Sequence, residues 1–146
     1  MSDTSGISEL YRLHSDGQSK YVYFLLAAAG ASMGYGLQQL DGLSLDRTNA
    51  LGVIAVLFWL LSFFFGCKRI TWVHSAIYAN YSLLQLRQGV HPDQPPHPEL
   101  TEAAIRGVRT AVETTTNKAA RYTKLQFWSL AIGVLLFVGW RILQMI

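Results

Sequence analysis

Three stretches of this chain are long, apolar and free of Asp, Glu, Lys and His: residues 21–40 (YVYFLLAAAGASMGYGLQQL), 48–66 (TNALGVIAVLFWLLSFFFG) and 125–143 (LQFWSLAIGVLLFVGWRIL). A helix of about 20 apolar residues, rising about 1.5 Å per residue, matches a hydrocarbon core roughly 30 Å thick. Within that core the backbone polar groups must satisfy each other, which restricts a chain of this kind to helices. The pattern therefore predicts an all-α integral membrane protein with three transmembrane helices. In the third stretch Arg141 follows sixteen uncharged residues, about 24 Å of helix, and its side chain is expected to snorkel to the far interface. Of the 146 residues 51% are hydrophobic and 14% charged, against about 25% charged in soluble domains. That balance excludes a soluble globular enzyme.

The distribution of basic residues sets the expected orientation, because Lys and Arg are retained on the cytoplasmic side. Residues 67–124 hold Lys68, Arg69, Arg87, Arg106, Arg109, Lys118, Arg121 and Lys124, eight of the twelve in the chain, whereas the 41–47 loop has Arg47. Residues 1–20, with Arg12 and Lys20, fall on the same side as 67–124, so the N-terminus is expected inside, the 41–47 loop outside and the C-terminus outside. Residues 1–20 lack a basic segment followed by an apolar run, so no cleavable leader is expected there. Lys68, Arg69, Trp72, Lys124 and Trp128 are read as anchors at the inner membrane interface, joined there by Tyr21, Tyr23 and Phe127; Trp140 and Arg141 are read as anchors at the outer one. The net charge of +3 is explained by these anchors, so no nucleic-acid partner is expected. A bacterial inner membrane is the expected location.

Between the second and third spans, 67–124 reads as a helical extension of both. After Lys68 and Arg69, the apolar positions Ile70, Val73, Ile77, Tyr81 and Leu84 recur at steps of three and four, opposite Thr71, Ser75, Ser82 and Gln85. Gly89 followed by Pro92 is a helix stop. The segment 90–98 holds all four prolines, so it is expected to be a stiff turn. Pro98 suits a first helical position, with Glu99 and Glu102 in the first turn. From there Ile105, Val108, Val112, Thr115, Ala119 and Tyr122 form a second stripe, which predicts an antiparallel cytoplasmic hairpin. Thr110 and Thr114 to Thr116 combine β-branching with hydroxyls that compete for backbone hydrogen bonds, which allows a bend.

Inside the first span, Gly30 and Gly34 form GxxxG, and Ala27 with Ala31 and Ser32 with Gly36 repeat the small-residue spacing. Small residues four apart let another helix backbone approach closely, which matters where water drives no association. Ala27, Gly30, Ala31 and Gly34 are therefore the expected helix-packing interface, with this chain's own spans as the first choice of partner and another subunit as the second.

Chemistry-bearing residues are sparse. The single Cys67 excludes an intramolecular disulfide and is read as a small packing residue. His91, Asp93, His97 and Glu99 cluster near the prolines, but a transition-metal site needs three or four convergent ligands, and solvated loop residues are the expected reading. No nucleophile, phosphate-binding or metalloprotease motif is present, so no catalytic residue, cofactor or metal is expected. Without ionisable groups in the spans, a pump or proton relay is excluded.

His91, Pro92 and Asp93 in a loop between two helices resemble the loop of J-domain co-chaperones, a resemblance implying an Hsp70 partner. It covers those three residues: only Arg87 stands where that family has a basic surface, QPPHP follows the tripeptide, and the family's first helix has no counterpart. The reading for the whole chain is a non-enzymatic accessory or scaffold subunit whose partners are the lipid bilayer and other membrane proteins or itself. The alternative is a homo-oligomeric pore or membrane-perturbing effector, with Ser32, Tyr35, Gln38, Gln39 or Ser62 around its axis.

Overall fold

A computed structural model describes residues 3–44 and 46–145, with the backbone alone for 3–16, 18 and 19. The reading of Arg12 thus lies outside the described side chains. Every regular element among the described residues is a helix: α1 (Asp3–Leu40), α2 (Arg47–Gln88) and α3 (Pro98–Met145). Both α2 and α3 are long and apolar enough to cross a membrane. Residues 21–40 of α1 are diluted by Tyr21, Tyr23, Tyr35, Gly30, Gly34, Gly36, Gln38 and Gln39, and α1 does not reach that level of apolarity.

The helix ends follow local chemistry. Asp46 caps α2, its Oδ1 accepting the Asn49 backbone N–H at 2.8 Å. At the other end Gly89 adopts φ 72° and the Val90 N–H reaches the Gln85 carbonyl at 3.0 Å. That is the left-handed cap expected of glycine at this position. Pro98 opens α3 as the sequence suggests. The threonine run does not interrupt α3: Thr110 Oγ1 donates to Arg106 O at 3.1 Å and Thr115 Oγ1 to Ala111 O at 2.8 Å.

The helices contribute to two compact units, one formed by α1, α2 as far as Gly66 and α3 from Leu125, the other by Cys67–Lys124. In the first, Val22, Leu25 and Ala29 of α1 are buried, and Ala55, Val56 and Trp59 of α2 cluster with Phe137 and Trp140 of α3. The Phe137 ring lies 5.2 Å from Trp59 and 5.1 Å from Trp140, centroid to centroid. Glycine makes room for these rings. A Cβ on Gly36 would lie 2.8 Å from both Trp59 and Val56, and one on Gly52 would lie 3.0 Å from Trp140. On Gly133 it would lie 2.6 Å from Trp59 and 3.1 Å from the Ala55 carbonyl oxygen.

In the second unit, the α3 stripe Ile105, Val108, Val112, Thr115, Ala119 and Tyr122 is the less exposed face, as the spacing predicts. On α2 the prediction holds at Ile70 and Val73 and then fails. Ile77, Tyr81 and Leu84 are exposed, whereas Leu83 and Leu86 are buried and Ala76 and Ala79 half-buried. The buried face is displaced by one residue, about 100° around the helix, because Ala76 and Ala79 line it in place of the larger Ile77 and Tyr81.

Gly133→Ala tests the packing in the first unit. One neighbour of the added methyl is backbone and the other a caged indole, so the substitution should destabilise the protein by about 1–3 kcal/mol. Gly30→Ala, with nothing within 4 Å of the new Cβ, should leave stability within about 0.5 kcal/mol. Denaturation of both variants in detergent micelles checks the contrast.

Candidate functional site

The face of α1 that carries Ala27, Gly30, Ala31 and Gly34 is open among the described residues. A Cβ on Gly30 or Gly34 would meet nothing within 4 Å, and Ala27, Ala31 and Gly34 are exposed. Of the small-residue positions, Gly36 meets an internal partner, since an added Cβ would lie 2.8 Å from Trp59 and Val56, whereas Gly30 and Gly34 meet none among the described residues. Val22, Leu25, Ala29 and Gly36 face inward instead, at steps of three, four and seven that hold them on one side of the helix. Large exposed residues frame the outward face, Tyr23 and Leu37 on one flank and Phe24 and Tyr35 on the other. Its chemistry is that of a groove for a helix backbone.

A second open face lies in the Cys67–Lys124 unit. Ile77, Tyr78, Tyr81 and Leu84 are 64%, 73%, 58% and 48% exposed, and their spacing places them along one side of α2. Gln85 Nε2 donates to the Tyr81 hydroxyl at 3.0 Å, which orders part of this stripe without covering it.

The anchors divide. Lys68, Lys124, Trp128 and Arg141 are exposed, and Arg69 and Trp72 half-buried; the neighbouring Cys67, expected as a buried packing residue, is exposed instead. Trp140 departs from its expected role: it is fully buried, and its indole N–H donates to Asn49 Oδ1 at 3.3 Å. Gln144 Nε2 donates to the same oxygen at 3.0 Å, while Asn49 Nδ2 donates to Ser44 O at 2.8 Å. Asn49 thus ties the start of α2 to the end of α3. Arg141 lies beside this network, donating to Gln144 Oε1 at 3.2 Å.

Sequence reasoning missed Asn49 and Gln126. Ser62, by contrast, meets the backbone: its hydroxyl donates to Gln126 O at 2.8 Å. The Gln126 side chain is wholly buried, and neither Nε2 nor Oε1 has a hydrogen-bond partner among the described residues. It lies against Gly66, where an added Cβ would come within 2.6 Å of Nε2. An amide inside an apolar run was the signal to be read, since an unpaired amide in lipid is costly.

In the proline-rich loop the Asp93 N–H donates to His91 Nδ1 at 3.1 Å, and the Gln94 N–H to His91 O at 3.0 Å. The His-Pro-Asp tripeptide thus forms a locally bonded turn. No three His, Cys, Asp or Glu side chains converge as metal ligands among the described residues.

Gln126→Met keeps length and volume while removing the unpaired amide. It should stabilise the protein by about 1–3 kcal/mol, read as a shift of the unfolding midpoint in micelles. A destabilised Gln126→Met protein would mean that the amide is engaged. No family model matches this chain, nor does any curated protein or solved structure.

Proposed function

We propose that this chain is a non-enzymatic subunit of a bacterial inner membrane that holds other membrane proteins, or further copies of itself, through helix–helix contacts. Three spans cross the bilayer, from α1 (21–40), α2 (48–66) and α3 (125–143), with residues 67–124 as a cytoplasmic antiparallel hairpin, the N-terminus inside and the C-terminus outside. The observation that carries the reading is the open small-residue face of α1. The chain packs its own helices through Gly36, Gly52, Gly66 and Gly133 and leaves Gly30 and Gly34 uncontacted. The stripe Ile77, Tyr78, Tyr81 and Leu84 supplies a second contact on the cytoplasmic side.

Three observations support the topology. Two of the three helices have the length and apolarity of spans, and eight of twelve basic residues fall in 67–124. In that unit Lys118 lies against Trp72 across the loop, as expected where α3 returns along α2.

Native mass spectrometry of the tagged protein, extracted with its lipids retained, tests the functional reading. A mass that includes other gene products is expected. Gly30→Leu and Gly34→Leu should reduce that assembly at least tenfold while leaving the unfolding midpoint unchanged, since both side chains enter open space. A closed series of four or more 16.3 kDa copies would favour the alternative, a homo-oligomeric pore. A monomer in all preparations would remove both. For the topology, alkaline phosphatase fused at residue 80 should be inactive, and activity there would invert the orientation.

A further inference from the structure

Arg69 is half-buried, and its Nε has no hydrogen-bond partner among the described residues. It stands one turn from Trp72 on the same face of α2, and Lys118 Nζ lies 4.3 Å from the centroid of the Trp72 ring, within cation–π range. Along α3, Arg121 and Lys124 follow Lys118 at steps of three, and all three are exposed.

These cations have no counter-charge among the described residues, where the ion pairs are Arg106–Glu102 and Arg109–Glu113. Residues 47–92 and 114–146 contain no Asp or Glu at all. Burial pushes the Arg69 guanidinium below its ordinary value, yet an arginine remains charged at neutral pH. A desolvated cation with an unmet donor is unfavourable until an anion approaches. The surroundings narrow the kind of anion. Leu60, Leu61, Phe63 and Phe64, just before this segment on α2, are exposed, as are Leu125, Phe127 and Trp128 just after it on α3. Under the topology proposed above these cations stand where the apolar runs 48–66 and 125–143 end in the sequence, and the anions at hand there are lipid headgroups.

We propose that Arg69, Trp72, Lys118 and Arg121 form a binding site for the phosphate headgroup of an anionic phospholipid. The site rests on the hairpin reading above: with α3 antiparallel to α2, one turn beyond the Trp72–Lys118 contact brings Arg69 level with Arg121. Two cations from α3 and one from α2 then converge on a phosphate, and Trp72 supplies an aromatic ring at headgroup depth. Lys124 widens the field without being needed for the contact.

The test uses the full chain in phosphatidylcholine vesicles carrying a trace of spin-labelled phosphatidylglycerol or spin-labelled phosphatidylcholine, and reads the motionally restricted lipid fraction. Phosphatidylglycerol should be preferred by about tenfold, and Arg69→Gln or Lys118→Gln should each lower that preference about fivefold. Arg109→Gln, whose partner is Glu113, should leave it unchanged. Equal restriction of the two lipids overturns the proposal, as does a preference insensitive to both Arg69→Gln and Lys118→Gln. Loss of the preference on adding inorganic phosphate, but not sodium chloride of equal ionic strength, would make this a free-anion site and overturn the lipid assignment. The hairpin is read separately, from the distance between spin labels at Ile77→Cys and Glu113→Cys in a Cys67→Ala background. A short distance without lipid preference defeats the site alone, and a long distance defeats the hairpin and the site with it.

Discussion

Trp59 is the residue around which the first unit is arranged. Its indole occupies the space opened by Gly36 of α1 and Gly133 of α3, and its ring meets Phe137. In lipid, helices gain little from hiding apolar surface, since the lipid tails are equally apolar, and association rests on close van der Waals contact. A large flat ring set into glycine notches on two neighbouring helices maximises such contact. Trp140 repeats the device against Gly52, with its N–H satisfied by Asn49. Dispersion scales with the number of atoms at contact distance, so removing one notch forfeits the fit of a whole ring.

The chain thus carries two populations of small residues that sequence spacing alone does not separate. Gly30 and Gly34 make the recognisable GxxxG pattern, yet they face away from α2 and α3. The glycines that make room for other helices, Gly36 and Gly133 for the Trp59 ring, Gly52 for the Trp140 ring and Gly66 for the Gln126 amide, share no common motif because each notch serves a side chain from another helix. Their significance appears only when three helices are brought together. The open GxxxG face is then informative, since the close contact of α1 with Trp59 runs through Gly36 and not through it.

Much of the fold was legible in the sequence. The caps at Gly89 and Pro98 and the α3 stripe from Ile105 to Tyr122 follow from short-range chemistry and helical period, and both act within a few residues. The one-residue offset at Ile77, Tyr81 and Leu84 was not legible, because periodicity assigns large apolar residues to the inside, whereas close approach of two helices favours alanine there. Trp140 misled for a related reason: an aromatic near a span end serves as an interfacial anchor or as core, and only the Asn49 side-chain carbonyl from another helix decides between them. Gln126 was hidden by composition, since one amide hardly lowers the apolarity of residues 125–143.

The buried polar groups of the first unit show why the lack of acids, Lys and His in the three apolar runs does not amount to inertness. Ser62 bonds to the Gln126 carbonyl and Asn49 gathers donors from Trp140 and Gln144, so α2 is fastened to α3 at two separated levels by neutral groups alone. Bonds of this kind fix register, because a slide of one helical turn would leave several donors unpaired in an apolar surrounding. Shape alone tolerates such a slide more readily when the contacts are between glycines and rings. The two interactions therefore act on different degrees of freedom. Ring-in-notch packing brings the helices close, and the polar bonds select one alignment. With α2 and α3 held in that register, the outward face of α1 is presented by a defined framework, which the proposed helix-binding role requires.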